Sequence, residues 1–242
     1  MSRESTAASP GDSGTSEEIL EATYRALCEH GYADLTMQDI ADESATSKSS
    51  LHYHFDTKEA LLLAFLDHLY DSFTDEYAAT DGGHAVERLI GFVDAVLCRA
   101  DPEQDRAFQT ALLELKAQAP YVEAYREEME RFDAFVRDRV RDIVADGIEE
   151  GTIRADADPD DTAAFVATLI DGVNTRRVSI GGTDGGTRRT FVAYVRERLV
   201  APDADVTVDP DAEDGDSSAG GSTGDATDGP VTAESAAGEV DD

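Results

Sequence analysis

Apolar residues recur every three or four positions along nearly the whole of residues 14–200, and this spacing restricts the possible fold more than any other feature. The stretches 19–27, 86–97 and 160–178 are examples, and each would form one apolar face of a helix. No stretch alternates apolar and polar residues as a half-buried strand does. The sequence therefore predicts an all-α fold of about nine helices.

The two ends of the chain differ in composition from this helical body. Residues 1–13 are rich in Ser, Thr, Ala, Gly and Pro, and residues 201–242 carry 13 acidic side chains and no Lys or Arg. We predict a disordered arm at 1–13 and an acidic disordered tail at 201–242. The tail is interpreted as a solvating segment, with a specific binding role as the alternative.

The whole chain carries 53 Asp and Glu against 20 Lys and Arg, a formal charge of −33. Acidic residues spread over helical patterns are typical of a surface that stays soluble in concentrated salt, where screening lengths are short. We therefore predict a salt-adapted (halophilic) source. The alternative is an acidic protein that avoids nucleic acid.

The two cysteines, Cys28 and Cys98, match no disulfide framework and no metal-ligand spacing. The sequence also has no apolar run near 18 residues and no secretory leader. We expect a cytoplasmic protein without a membrane span.

Residues 36–54 have the form of a helix-turn-helix. Thr36 followed by Asp39 is typical of a helix N-cap, and a short polar turn at 43–45 precedes a second helix that begins near Thr46 or Ser47. Such a second helix fits the major groove of DNA, which is about 12 Å wide.

The second helix has the side chains that such a docking needs. Its hydroxyl residues are small enough to let the backbone approach DNA, and Lys48 and Lys58, two of the chain's three lysines, lie on either side of it. Lysine at these positions supplies positive charge to the phosphates. Leu51 and Phe55 are the predicted inward anchors.

The stretch "GYADLTMQDIADESATSKSSLHYHFDTKEALL" resembles the DNA-binding segment of the TetR (tetracycline repressor) family. The residues that fall in register with the family pattern are Thr36, Ile40-Ala41, Ser47-Lys48, Leu51, Tyr53-His54-Phe55 and Lys58-Glu59. The resemblance covers about residues 14–62. It implies a three-helix helix-turn-helix DNA-binding domain at 14–60, followed by a helical-bundle effector-binding and dimerisation domain at 61–200.

The resemblance also assigns DNA contacts. They fall on Thr36, Thr46, Ser47, Lys48, Ser49, Ser50, His52, Tyr53, His54 and Lys58. Three positions depart from the family pattern, since Ala45 and Ser49 stand where glycines are usual, and His52 stands where a phosphate-binding tyrosine is common. These departures affect the preferred DNA sequence rather than the presence of the module.

The resemblance also implies an effector pocket, and aromatic residues of the middle helices are the candidates for lining it. The candidates are Phe92, Phe108, Tyr121, Tyr125 and Phe132, each of which could equally belong to the core. The last two helices of the family form a dimer interface, and helix 160–178 has an apolar arc too broad for one neighbour. The interface candidates are Phe165, Val166, Leu169, Ile170, Val173, Phe191 and Val195.

Other groups of reactive side chains are more simply explained as structural or surface residues than as functional sites. His52 and His54 lie two apart, so on a helix they point in different directions and cannot share a metal ion. Cys98 could be a redox sensor but is more simply a small buried hydrophobe. Glu114 and the glutamates of residues 123–130 are interpreted as a solvated face. We expect no metal, no cofactor and no catalysis.

These observations predict a DNA-binding transcriptional regulator, most simply a homodimeric repressor that a small-molecule effector releases from a palindromic operator. Its partners would be double-stranded DNA, a second copy of itself and the effector. The alternative is a helical dimeric scaffold whose DNA-binding module has weakened. An enzyme is a third possibility, but no motif supports it.

Overall fold

The computed structural model describes residues 10–78, 83–97, 102–181 and 185–206. In these ranges the chain forms nine α-helices, and the last continues as a π-helical turn, Val195–Leu199. The helices are α1 (Pro10–Asp34), α2 (Met37–Glu43), α3 (Lys48–His54), α4 (Lys58–Ala78), α5 (Ala85–Leu97), α6 (Pro102–Lys116), α7 (Glu123–Glu150), α8 (Pro159–Ile180) and α9 (Gly185–Tyr194). The same ranges hold no strand beyond an isolated antiparallel bridge between Ile153 and Val200. The all-α prediction is confirmed.

Short polar side chains set the starts of the helices, because they accept hydrogen bonds from backbone N–H groups that have no partner within the helix. Thr36 Oγ1 accepts from the N–H groups of Gln38 and Asp39, and Asp39 Oδ2 accepts from Thr36 N at 2.7 Å. Asp158 caps α8 in the same way, with Oδ1 accepting from two N–H groups of the first turn. The start of α2 at Thr36 is as the sequence predicts.

Helix α1 is kinked at Gly31, whose φ of 71° and ψ of 170° lie in a region that only glycine adopts readily. The residues after the kink form a short turn, closed by a hydrogen bond from Leu35 N to Gly31 O at 3.2 Å. We refer to residues 31–35 as the 31–35 turn. It leads directly into Thr36 and helix α2.

One hydrophobic core joins α1–α4 to α6 and the first turns of α7. From the first group of helices it contains Ile19, Ile40, Leu51 and Leu62, among others, all fully buried. From α6 and α7 it contains Phe108, Ala111, Leu115 and Tyr125. The helix-turn-helix therefore shares its core with helices of the following domain.

A second core lies between α5, α7, α8 and α9, with Tyr77 of α4 at its edge. The helices approach closely at Gly147 of α7, where a Cβ atom would lie 2.6 Å from Ile153 Cδ1 and 2.7 Å from Ala85 Cβ. Glycine at this position lets α5 and the segment after α7 come close to the α7 backbone.

The segment after α9 is tied to the loop between α7 and α8. Arg154 N donates to Leu199 O at 2.8 Å, and Ala201 N donates to Thr152 O at 3.0 Å. These bonds place the end of the helical body beside the end of α7.

Some sequence predictions fall outside the described residues, namely the acidic tail beyond residue 206, the first nine residues of the arm, and Cys98. Residues 10–13, which the composition assigns to the arm, are the first residues of α1. Across the described part of the chain, no helix has the length and apolar character to cross a membrane.

Candidate nucleic-acid interface and effector cavity

Helices α2 and α3 are held against α1 and α4 by apolar anchors. Met37, Ile40 and Ala41 of α2 are buried, whereas in the seven-residue α3 only Leu51 is, with no exposed surface. Burial of one such side chain contributes about 1.5–3 kcal/mol. A single central anchor leaves the opposite face of α3 in solvent.

The turn between α2 and α3 is fixed by hydrogen bonds from its own hydroxyls and from α1. Ser44 Oγ accepts from Thr46 N at 3.1 Å. From α1, Arg25 Nη2 donates to Glu43 O at 2.9 Å, and Glu18 Oε1 accepts from Ala45 N at 3.2 Å. These two α1 side chains anchor a turn that contains alanine in place of the usual glycine. Neither contact is predicted from the sequence.

The exposed face of α3 begins at its N-cap. Ser47 Oγ accepts from Ser50 N at 3.2 Å and lies 3.0 Å from Ser49 Oγ. His52 and Tyr53 follow on the same helix, and Tyr53 is 84% exposed. A phenol ring held this far out of the core is available to pack on a partner, with its hydroxyl as a polar tip.

Lys48 lies on this exposed face. No carboxylate among the described residues forms an ion pair with it. By contrast, Lys116 is paired with Asp171. The ammonium group of Lys48 is therefore available to a phosphate.

Lys58, a predicted DNA contact, lies half-buried and is directed into the protein. Its Nζ donates to Tyr32 O at 3.0 Å and to Leu35 O at 2.8 Å, and lies 4.8 Å from the centre of the Tyr32 ring. Burial lowers the pKa of the ammonium group, and the nearby Asp34 carboxylate partly opposes this. Two of its three donors thus fix the 31–35 turn to the start of α4.

The remaining predicted contacts fall into two groups. Thr36 is exposed, but its hydroxyl serves the α2 capping box and donates to Asp39 Oδ2 at 2.7 Å. Thr46, Ser50 and His54 are half-buried at the ends and side of α3. The structure brings Ser47, Lys48, Ser49, His52 and Tyr53 together on one solvent-exposed face.

The local charge of this surface is negative. Residues 36–58 contain four carboxylates, namely those of Asp39, Asp42, Glu43 and Asp56, against two lysines. Few positive charges therefore face solvent on this segment, and its exposed polar groups are mainly hydroxyls, the His52 ring nitrogens, the Tyr53 hydroxyl and Lys48.

A cavity of about 490 Å³ lies between α4, α5, α6, α7 and α8. Its apolar wall includes Phe73 of α4, Phe108 and Leu112 of α6, Phe132 of α7 and Ile170 of α8. This volume is in the range of small-molecule sites, which are about 300–1,000 Å³.

Two family models match the chain. One, described as bacterial regulatory proteins of the tetR family, matches residues 19–65, and one described as the C-terminal domain of BetI-type transcriptional repressors matches residues 85–201. A crystal structure of a TetR transcription regulator from Haloarcula marismortui is 39% identical, with a TM-score of 0.71, over 77% of this chain and 99% of that one. The chain belongs to the TetR family of transcriptional regulators.

Two further relatives have similar coverage. The transcriptional repressor AcnR of Corynebacterium glutamicum is 25% identical over 75% of this chain and 91% of its own length. A putative regulator from Saccharomonospora viridis, crystallised with choline, has a TM-score of 0.68 at 24% identity, over 78% of this chain and 98% of that one. This last likeness shows the fold. The protein is thus a DNA-binding transcriptional regulator of the TetR family.

Of the five aromatic residues predicted for the effector pocket, Phe108 and Phe132 line the cavity. Phe92 is completely buried in the second core, and Tyr125 is buried in the first, edge-on to Tyr32. Burial raises the pKa of the Tyr125 hydroxyl well above its usual value. Tyr121 lies in the turn before α7 and is 84% exposed. None of these three lines the cavity.

The predicted dimer-interface residues also divide by burial. Val166, Ile170, Val173, Phe191 and Val195 are buried inside their own chain. Phe165 is 43% exposed and packs against Tyr194 of α9 at 4.9 Å between ring centres, and Leu169 is half-buried. Ile180, which is not among the predicted interface residues, is 66% exposed at the end of α8.

Glu114 of α6 corrects the interpretation of that residue as part of a solvated face. Its Oε2 accepts a hydrogen bond of 2.6 Å from Tyr32 N, just after the Gly31 kink. The Glu114 carboxylate accepts from a backbone N–H near the start of the 31–35 turn, and the Lys58 ammonium donates to two of its carbonyl oxygens. Each charge therefore meets backbone groups of opposite partial charge. The position of this turn therefore depends on α6 and α4, and both helices also line the cavity.

Proposed function

We propose that this regulator is a cytoplasmic homodimeric repressor that binds a palindromic operator and leaves it when a small molecule enters the cavity. The observation that supports this most directly is that α4 and α6 each contact both the cavity and the 31–35 turn, which leads into the helix-turn-helix. AcnR, a relative over most of the chain, is named a repressor.

In this proposal the exposed face of α3 enters the major groove. Lys48 contacts phosphate, and Ser47, Ser49, His52 and Tyr53 contact phosphate or base edges. Thr36 and Lys58 act chiefly by positioning α2 and the 31–35 turn, since their polar groups already have partners within the protein.

The second copy is proposed to pack on α8 and α9. Phe165 and Ile180 are exposed there, while the apolar neighbours of α8 are covered by the chain's own core. A twofold axis through this face would place two α3 helices about one DNA turn, 34–36 Å, apart.

The effector would act by changing the separation of these helices. A ligand that pushes on Phe73 or Leu112 moves α4 or α6, and through Lys58 and Glu114 it shifts the 31–35 turn. A coupling free energy of about 1–3 kcal/mol is sufficient for regulation.

The acidic surface is proposed to be an adaptation to concentrated salt, which the similarity to a protein of Haloarcula marismortui supports. Because few cations face DNA, few counterions are released on binding. We expect operator affinity to change little between about 0.5 and 2 M KCl, or to rise. A loss of several orders of magnitude over that range would contradict the adaptation.

The test of the proposed function is fluorescence anisotropy with DNA from the region upstream of the protein's own gene, at molar KCl. Wild-type protein should bind a specific site in this DNA, and Lys48→Glu should lower the affinity for that site at least tenfold. Arg154→Glu, which makes the same charge change in the loop after α7, is the control and should bind as wild type does. A scaffold with a weakened DNA-binding module would show no retained site, or equal binding by both variants.

A further inference from the structure

The cavity between α4 and α8 has a wall that favours an apolar ligand. Three phenylalanine rings, Phe73, Phe108 and Phe132, contribute to it, with Leu69 and Met129 beside them. Flat aromatic surfaces and a methionine side chain pack against rings or compact aliphatic groups of many shapes.

Each charged side chain that lines the cavity already has an ion-pair partner. Asp171 is paired with Lys116, Glu130 with Arg126 at 3.5 Å, and Asp133 with Arg137 at 2.8 Å. These pairs are exposed, so breaking one costs little, but none of them offers a charged ligand a free counter-charge. A charged ligand would therefore lose hydration against the apolar wall without compensation, which disfavours it.

Two uncharged amide side chains line the cavity, those of Gln109 on α6 and of Asn174 on α8, the chain's only asparagine. The Oδ1 atom of Asn174 has almost no accessible surface and accepts no hydrogen bond from any described protein group, so a ligand in the cavity would reach it by a turn of this side chain. A buried acceptor left unpaired is unfavourable, so such atoms are normally satisfied by a ligand or by water. Ile170 and Asp171 lie one turn earlier on α8 and also line the cavity.

We propose that the effector is an uncharged, largely apolar molecule with one hydrogen-bond donor, such as a hydroxyl or amide N–H, which donates to Asn174 Oδ1. The apolar wall supplies affinity, and Asn174 selects molecules that carry the donor. This inference rests on the proposed function, because it names the class of molecule that occupies the regulatory cavity.

The experiment compares four probes by isothermal titration calorimetry with the full chain. In the pair 4-hydroxybiphenyl and 4-methylbiphenyl, a donor replaces a methyl group of similar size. Biphenyl-4-carboxylate and choline test negative and positive charge. We expect 4-hydroxybiphenyl to bind about tenfold more tightly than 4-methylbiphenyl, which corresponds to about 1.4 kcal/mol. Both charged probes should bind more weakly than 4-hydroxybiphenyl.

Variants then assign the preference to Asn174. Asn174→Leu should make the two biphenyls bind equally, and its apolar side chain suits the wall, so the fold should be retained. Asn174→Gln keeps an uncharged amide acceptor and should keep the preference for the hydroxyl. Gln118→Leu removes an amide outside the cavity wall and should leave the ratio unchanged.

Equal binding of the two biphenyls by wild-type protein overturns the inference, as does tighter binding of choline or a preference that survives in Asn174→Leu. The same complexes are then tested for operator release. If 4-hydroxybiphenyl binds with the expected preference but the operator stays bound, the ligand class stands and the release mechanism fails. If choline releases the operator instead, the release mechanism stands and the ligand class fails.

Discussion

Replacement of Glu114 should weaken both the fold and its regulation, because one hydrogen bond joins α6 to the segment that leads into the helix-turn-helix. The carboxylate accepts from Tyr32 N at 2.6 Å, in a half-buried setting, across 82 residues of sequence. A hydrogen bond to a charged group contributes about 1.5–3 kcal/mol, and partial exposure favours the lower end of that range. We therefore expect Glu114→Ala to lower the free energy of unfolding by about 1.5 kcal/mol.

The expected loss of unfolding free energy can be measured as a fall in melting temperature. For a folded body of about 200 residues, 1 kcal/mol corresponds to about 2–4 °C in Tm, so the melting temperature should fall by about 3–6 °C. Glu114→Gln retains a neutral acceptor and should lose about half as much. The control, Glu127→Ala, removes an exposed carboxylate of α7 and should change stability by less than about 0.5 kcal/mol.

The regulatory consequence separates a coupling role from a merely structural one. If Glu114 holds the 31–35 turn for DNA binding, Glu114→Ala should lower operator affinity by up to about tenfold at temperatures well below its Tm. It should also reduce the change in affinity that an effector produces. A variant that melts earlier, yet binds the operator and responds to effector as wild type does, would refute the coupling role.

Two further predictions concern the second core. Gly147→Ala should lower the free energy of unfolding, measured by chemical denaturation, by about 1–2 kcal/mol. Overpacking against Ile153 and Ala85 exceeds the gain in helix propensity, which is about 1 kcal/mol. The control, Gly91→Ala, has open space around it and should be neutral or stabilising. The pKa of Glu150 is lowered below its ordinary value of 4.5, first by the hydrogen bond from Ala85 N, so its contribution is present above pH 4.5 and lost as pH falls through the lower, folded-state pKa. Wild type should therefore be more stable than Glu150→Gln at pH 6, and the difference should shrink towards pH 3; a difference that grows on acidification would contradict this sign.

The sequence by itself determined the features that depend on near neighbours in the chain. The capping box of Thr36 and Asp39, and the Asp158 cap of α8, use atoms within three residues of each other, so a short window contains all the information. Apolar spacing likewise predicts the helices, because a helix buries one face whatever its partner is. The family resemblance depends on the same local stretch.

The tertiary structure alone decided which apolar side chains line the cavity. Phe92 and Phe108 lie on similar helical stripes, but one is enclosed in the second core and the other lines the cavity, since this depends on where α4, α7 and α8 cross. The same holds for polar residues. Lys58 and Glu114 look like surface charges in sequence, and only the packing of α4 and α6 on the 31–35 turn gives their charges backbone partners. Long-range contacts of this kind have no signature in residue spacing, because they are set by how helices pack and not by the order of residues within one helix.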